Sequence, residues 1–152
     1  MHRMLISFAL VVIANTAAWA AARILGSRWD TPLDGGRLMP DGTRLLGSHK
    51  TWRGLIAAVV ACGAAAQLAG LGFGLGAAFG ALALLGDAVS SFVKRRLRMQ
   101  PGAEVLGLDQ LAEALLPLVV LRRPLGLDSV EILFVAAAFL VLDVAATKLR
   151  HQ

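Results

Sequence analysis

Long apolar runs, separated by short polar stretches, dominate the pattern of this chain of 152 residues. The apolar positions come in continuous blocks and do not alternate with polar ones, which favours helices over half-buried strands. Five segments are long enough, at about 17–25 residues, to cross a bilayer as α-helices. They cover residues 4–22, 55–71, 72–92, 105–121 and 130–148. We therefore predict an all-α, polytopic membrane protein with about five transmembrane helices in a single integral-membrane domain, residues 1–152.

The composition supports a protein that lies in the lipid bilayer. Hydrophobic residues make up 57% of the chain, and its mean hydropathy is +0.70. The one cysteine, Cys62, excludes a disulfide framework and the usual zinc-binding spacings. The net charge of +5 is attributed to the positive-inside distribution of a membrane protein. We therefore predict no nucleic-acid partner.

Basic residues concentrate in two loops and the C-terminal tail. Residues 23–54, 93–104 and the tail hold twelve of the 15 lysines and arginines. The positive-inside rule places these loops in the cytoplasm, with the N-terminus outside and the C-terminus in the cytoplasm. Residues 1–22 could instead form a cleaved signal peptide. We favour a retained helix, because the rest of the chain is itself multi-spanning.

Three glycines recur every four residues in the third segment. Gly72, Gly76 and Gly80 have the small-residue spacing that lets transmembrane helices approach closely. We predict close helix packing here and no nucleotide role, because no strand precedes these glycines.

Asp87 is an acid inside the third apolar segment. Such an acid costs about 2.5–3.5 kcal/mol at a bilayer centre and marks a functional site by default. Helical geometry predicts that several polar residues share its face, with Arg96 pointing away. The residues predicted on that face are Ser91, Lys94, Arg95 and Arg98. The alternative is a plain intramembrane salt bridge between Asp87 and a lysine or arginine.

Two further polar stretches are predicted at the cytoplasmic side. Lys50 and Arg53 lie just before the second segment. Positive charges at a helix N-terminus interact unfavourably with the helix dipole, and a phosphate bound between the two side chains would offset this repulsion. Asp109 and Glu113 share a helical face in the fourth segment. Carboxylates close to many cations suit Mg²⁺, which binds through one or two carboxylates and leaves positions for phosphate oxygens. This pattern favours phosphoryl or nucleotidyl transfer at a membrane surface, with Mg²⁺ as cofactor and a lipid phosphate as one reactant.

Four motifs in this order resemble the archaeal CDP-archaeol synthases and their bacterial relatives, a branch of the CDP-diacylglycerol synthase (phosphatidate cytidylyltransferase) superfamily. They are Asn15, the stretch Asp41-Gly42-Thr43-Arg44 with residues 46–54, the stretch from Gly86-Asp87 to Arg96, and Leu108-Asp109-Gln110-Leu111. The resemblance implies a five-helix membrane enzyme that transfers CMP from CTP to a lipid phosphate. Its products would be a CDP-lipid and pyrophosphate, formed with Mg²⁺.

The resemblance also implies roles for individual residues. Catalytic roles are expected for Asp87, Asp109 and Lys94. Metal binding is expected for Asp87, Asp109 and Glu113. Nucleotide or phosphate binding is expected for Lys50, Thr51, Arg53, Ser91, Arg95, Arg96, Asn15 and Gln110. The chain departs from the family at Ala112, where a second acid is common, and Glu113 lies beside it. An isoprenoid-ether lipid phosphate and phosphatidate both remain candidate substrates.

Two other functions compete with this interpretation. A CDP-alcohol phosphatidyltransferase needs Asp-Gly-x-x-Ala-Arg, which Asp34-Gly35-Gly36-Arg37 does not match. A small non-catalytic transporter or scaffold subunit would explain the bundle but leaves Asp87 and Asp109 without a reason. The expected partners are thus CTP, a membrane lipid phosphate and the bilayer. A homodimer is compatible with this architecture.

Overall fold

Helices make up nearly all of the regular structure in the described part of this chain. The computed structural model describes residues 1–40, 42–47, 49–99 and 107–150, with the backbone alone at 149 and 150. Six helices follow one another in these ranges: α1 (His2–Leu25), α2 (Trp52–Leu68), α3 (Phe73–Arg96), α4 (Leu108–Val120), α5 (Arg122–Leu125) and α6 (Ser129–Arg150). The only bridges between extended residues in the described part are two isolated ones, Pro32 with Thr51 and Leu38 with Arg44. The all-α prediction is confirmed.

The helix ends differ from the ends of the apolar segments. The second helix begins at Trp52, earlier than predicted, because the Thr51 hydroxyl accepts a hydrogen bond from the Gly54 N–H at 3.4 Å and caps the helix. The third continues to Arg96, with basic residues in a last turn that favours cations. The start of the predicted fourth segment, residues 105 and 106, lies outside the described residues.

Among the described residues, three helices are long and apolar enough to cross a membrane, namely α1, α3 and α6. The apolar α2 has 17 residues and α4 has 13. At 1.5 Å per residue, α4 covers about 20 Å, whereas the hydrocarbon core of a bilayer measures about 30 Å. The fourth apolar segment therefore forms a shorter helix than its hydropathy predicts, followed by the single turn of α5.

Glycines bring α2 and α3 into close contact. A Cβ atom added at Gly76 would lie 2.1 Å from the carbonyl oxygen of Cys62, and one at Gly80 would lie 2.5 Å from that of Ala58. This approach needs residues without side chains, so the packing prediction is confirmed at these two positions. Gly72 has a different structural role from Gly76 and Gly80. It precedes α3 with a φ of 86° and forms part of the turn between the two helices.

The core of the bundle joins all six described helices. Apolar side chains from every one of them form one buried cluster, which includes Val11, Ala58, Phe79, Leu118, Leu125 and Val135. Helix α1 belongs to this core, because Leu10, Val11 and Ala14 are fully buried. Its next residue, Asn15, is thereby held at the edge of the apolar core.

Arg98 does not share the face of Asp87. Helix α3 ends at Arg96, and Arg98 lies beyond it, exposed, with a φ of 56°. The prediction for Arg98 was wrong because helical periodicity holds only as far as the helix extends.

The connection between α1 and α2 is organised around Asp34. This side chain is buried, and its two oxygens accept the N–H groups of Gly36 at 2.9 Å and Leu46 at 3.1 Å. Burial alone would raise the pKa of Asp34, but these bonds, a third from the Gly47 N–H and the charge of Arg44 place it below its ordinary value of 3.8. The neighbouring motif residues Asp41 and Ser48 lie outside the described residues.

Replacing Asp34 by alanine is expected to lower the free energy of unfolding by about 2 kcal/mol at pH 7, because hydrogen bonds to a charged acceptor are lost. The folded-state pKa is depressed, so this stabilisation is complete above pH 3.8 and disappears as the pH falls through the lower folded value. Thermal unfolding in detergent at several pH values measures the difference between the two proteins. A difference that stays constant down to the lowest pH would contradict the role of the ionised carboxylate.

Candidate active site

A polar cavity of about 590 Å³ opens where α1 ends and α2 begins. Its walls come from α1, the α1–α2 connection, α2, α3, α4 and α6. Nine of the twelve predicted site residues line it: Asn15, Lys50, Thr51, Arg53, Asp87, Lys94, Asp109, Gln110 and Glu113. Residues that are far apart in the chain thus meet in one place, and α1, α2, α3, α4 and α6 each contribute at least one polar side chain.

Two ion pairs connect the walls of the cavity. Lys50 Nζ lies 2.5 Å from Asp87 Oδ2, and Lys94 Nζ lies 2.7 Å from Asp109 Oδ2. The four side chains are 10–22% exposed, so they are largely shielded from water. The salt-bridge alternative for Asp87 is therefore observed, and Asp109 has the same arrangement. These pairs hold two carboxylates in place within a mostly apolar bundle.

The two carboxylate oxygens of Asp109 differ in their contacts. Its Oδ2 accepts from Lys94, whereas its Oδ1 is buried and has no hydrogen-bond partner among the described residues. Buried polar atoms normally have a partner, so an unpaired one calls for an explanation. A carboxylate oxygen is a ligand that Mg²⁺ prefers. The residues present therefore fit a magnesium ion at Asp109, although the described residues contain no group of three or more acids, histidines or cysteines able to hold a metal on their own.

Glu113 lies deepest among the predicted acids. It is 6% exposed, and its Oε2 accepts a hydrogen bond from Asn15 Nδ2 at 3.1 Å. It lies on the cavity face together with Asp109, as predicted. The preceding residue, Ala112, instead packs its backbone against Gly86 of α3. An acid at position 112 would therefore face the contact between α3 and α4, so the shift of the acid to 113 keeps it in the cavity.

Arg53 contacts the protein through both of its terminal nitrogens. Its Nη1 donates to the carbonyl oxygens of Gly26 and Arg28, and its Nη2 lies 2.7 Å from Asp30 Oδ1. These contacts bind the end of α1 and the following loop to the first turn of α2. Arg53 thus shapes the cavity wall, and its phosphate-binding role stays a prediction. The same holds for Thr51, whose hydroxyl caps α2.

Three predicted site residues lie elsewhere. Ser91, Arg95 and Arg96 are not among the described residues that line the cavity. Ser91 and Arg95 are buried in α3, whereas Arg96 donates to Thr43 Oγ1 at 2.6 Å and so holds the α1–α2 connection. Their nucleotide-binding roles stay predictions. His49, which is not one of the twelve predicted site residues, does line the cavity.

Acids outnumber cations in the described wall of the cavity. Five carboxyl groups line it, from Asp30, Asp87, Asp109, Glu113 and Asp143. Three lysine and arginine side chains oppose them, from Lys50, Arg53 and Lys94. A triphosphate carries several negative charges and would be repelled by such a wall unless a divalent cation entered with it. The charge balance thus favours a metal–nucleotide complex over a bare nucleotide.

Comparison with known proteins identifies the family. The family model for CarS-like CDP-archaeol synthases matches residues 1–76 and 67–150. The chain belongs to the CDP-archaeol synthase family. The CDP-archaeol synthase of Thermococcus onnurineus is 40% identical over 114 residues, which cover 68% of this chain and 67% of that protein. That of Thermococcus kodakarensis is 38% identical over 118 residues, with the same coverage of both chains.

A solved structure agrees with the family assignment. It is described as an intramembrane enzyme for archaeal membrane lipid biosynthesis, and it is 38% identical to this chain. It superposes with a TM-score of 0.77 and covers 94% of this chain and 91% of its own. The resemblance to CDP-archaeol synthases in the sequence motifs is thereby confirmed.

Several cavity residues of this family member were not predicted. Asp143 and Thr147 of α6, Asp30 of the connection and Trp19 of α1 all line the cavity. Asp143 carries the same signal as Asp87, an acid within an apolar segment, and the same argument would have found it. Asp30 gives no such signal, because an acid in a polar loop is common.

Proposed function

We propose that this protein transfers CMP from CTP to the phosphate of an isoprenoid-ether membrane lipid, with Mg²⁺, at the polar cavity. As a member of the CDP-archaeol synthase family, the chain is a nucleotidyltransferase, and this confirms the expected reaction class over a phosphatidyltransferase or a scaffold. The observation that carries the assignment to this cavity is the meeting of nine predicted site residues from four helices and a loop.

Mg²⁺ would be held by Asp109, through its unpaired Oδ1, with Asp87 as the second carboxylate. Bound there, the ion would neutralise charge on the triphosphate and polarise the α-phosphate. This proposal rests on the unpaired oxygen and on the excess of carboxyl groups in the wall. Glu113, which already accepts from Asn15, would contribute through the position of Asn15.

The lysines would bind the phosphates. Lys50 and Lys94 carry flexible ammonium groups that reach into the cavity and now neutralise Asp87 and Asp109. Each can donate up to three hydrogen bonds, so each can contact a phosphate oxygen while staying near its carboxylate. An oxygen of the lipid phosphate would attack the α-phosphorus of CTP. The bond from this phosphorus to the bridging oxygen of the β-phosphate breaks, and pyrophosphate leaves.

We further propose that the cavity faces the cytoplasm at the level of the lipid headgroups. The loops at this end are the basic ones, which the positive-inside rule places in the cytoplasm. Three tryptophans near this end, Trp19, Trp29 and Trp52, are exposed, and exposed tryptophans favour the membrane interface. A cavity at this depth would receive CTP from water and a lipid phosphate from the bilayer. This topology retains five crossings, with α4 and α5 together forming the fourth.

Release of pyrophosphate by the purified protein in detergent tests the proposal. We expect release that requires CTP, Mg²⁺ and a lipid phosphate together, with an isoprenoid-ether lipid phosphate as a better substrate than phosphatidate. ATP and GTP in place of CTP serve as controls for the nucleotide. Removing Mg²⁺ with a chelator is expected to abolish both the release and the binding of CTP, because the cavity wall then repels the triphosphate.

Each result has a defined meaning. Turnover with phosphatidate alone would overturn the ether-lipid assignment and leave the reaction standing. Tight binding of CTP in the presence of a chelator would overturn the metal proposal. Folded protein that neither binds CTP nor releases pyrophosphate with either lipid would overturn the proposed cytidylyltransferase function.

A further inference from the structure

Asp143 brings the last long helix into the candidate active site. It lies in α6, where most neighbouring side chains are apolar, and it lines the polar cavity. The preceding residues, Val141 and Leu142, are exposed on the outer surface of the bundle. Ionisable residues in such helices usually face the interior of the bundle and pair with a specific partner. The partner of Asp143 is a residue of α4.

A chain of two hydrogen bonds links α6 to the start of α4. Gln110 Nε2 donates to Asp143 Oδ2 at 2.8 Å, and the backbone N–H of Gly107 donates to Gln110 Oε1 at 3.0 Å. A backbone N–H can only donate, and an ionised carboxylate can only accept. The Gln110 amide therefore satisfies both neighbours in one orientation, with its oxygen towards Gly107 and its nitrogen towards Asp143.

These two hydrogen bonds support the helical turn that carries Asp109. The first N–H groups of a helix have no partner within the helix, so a helix start needs outside support. The Gln110 side chain supplies part of it by accepting from the N–H of Gly107, the residue before the helix. Asp109 lies in that same first turn. Whatever holds Gln110 therefore also holds the backbone that places the Asp109 carboxylate.

We infer that Asp143 is a positioning residue of this site: it orients the Gln110 amide and, through it, the first turn of α4 with Asp109. The inference rests on the proposed function and adds to it a role for α6. Asp143 acts as a hydrogen-bond acceptor, and a neutral amide at this position can accept in its place. Its effect on the reaction passes through Gln110, so the two side chains form one unit.

Four variants test this inference: Asp143→Leu, Asp143→Asn, Gln110→Leu and the double variant with leucine at both positions. Glu131→Leu removes the other carboxylate of α6, which contacts the backbone N–H of Asp128 outside the cavity, and serves as the matched control. The measurements are calorimetric binding of CTP at graded Mg²⁺ concentrations without lipid, the kcat and KM for CTP, and the melting temperature. The binding measurement needs no turnover.

We expect Asp143→Leu to raise the Mg²⁺ concentration for half-maximal CTP binding by about 10- to 100-fold, the range typical when the outer support of a metal site is lost. Asp143→Asn should recover most of this loss. The double variant should bind no more weakly than either single leucine variant, because both changes break the same unit. A purely structural role would lower the melting temperature and leave the Mg²⁺ dependence of the folded protein unchanged.

Three results would overturn the inference while leaving the proposed function intact. The first is an Asp143→Leu variant with the Mg²⁺ dependence of the Glu131→Leu control. The second is an Asp143→Asn variant as impaired as Asp143→Leu, which would make Asp143 a direct contact of the metal or substrate through its charge. The third is additive loss in the double variant. An unmodified protein that binds no CTP would overturn the proposed function, and the inference with it.

Discussion

Replacing Asp109 by asparagine is expected to lower the rate of CMP transfer by about 10²- to 10³-fold, the usual effect of losing one electrostatic contact to a transition state. Asparagine keeps the shape of the side chain but removes the charge that pairs with Lys94. It also weakens the oxygen that we propose as the magnesium ligand. Initial rates of pyrophosphate release at saturating CTP and lipid measure the effect. Asp128→Asn, the same change at a residue outside the cavity, should leave the rate unchanged.

A loss of stability must be separated from this loss of rate. Asparagine at 109 leaves the Lys94 ammonium without its carboxylate, and breaking a buried ion pair costs about 3–5 kcal/mol. The cost should be smaller here, because the Asp109 side chain is 20% exposed to the cavity. Adding Lys94→Met removes the ammonium group that has lost the Asp109 carboxylate, so the double variant should regain thermal stability and stay inactive. A double variant that regained activity would show that Asp109 matters only for folding.

Replacing Gly86 by alanine is expected to reduce both stability and activity. The new Cβ would lie 2.1 Å from the carbonyl oxygen of Ala112 and 3.1 Å from the Cα of Glu113. These are backbone atoms of α4, so the two helices must separate. Overpacking of this kind costs about 1–3 kcal/mol. The shift also moves Asp87 relative to Asp109, and a displacement of about 1 Å can reduce a rate by about 10²-fold.

Gly74→Ala is the matched control for Gly86→Ala, because it makes the same change in the same helix. A Cβ at Gly74 meets nothing within 4 Å. Alanine there should stabilise the helix slightly, by about 0.4–1 kcal/mol, and leave the rate unchanged. Melting temperature in detergent and initial rate, measured side by side, compare the two variants. Equal behaviour of both would show that the contact between α3 and α4 does not position the site.

Local sequence patterns predicted which polar residues belong to the site better than they predicted which contacts those residues make. An acid in an apolar segment identified Asp87, and helical spacing placed Asp109 and Glu113 on one face, where the structure has them. The same spacing failed for Arg98, because the end of α3 depends on capping contacts that periodicity does not contain. Arg53 looks like a phosphate ligand in the sequence. Only the fold shows that its terminal nitrogens contact the end of α1 and the following loop.

The sequence by itself determined the helical class, the membrane environment and the family. These follow from apolar runs and from motifs whose residues lie close together in the chain. Only the tertiary structure decided which lysine pairs with which acid. It also placed more acids than cations in the wall of the cavity and brought α6 to the site through Asp143. The physical reason is that such pairs join residues many turns apart. The helix packing that brings them together depends on close contacts, such as Gly86 against Ala112, which no local pattern records.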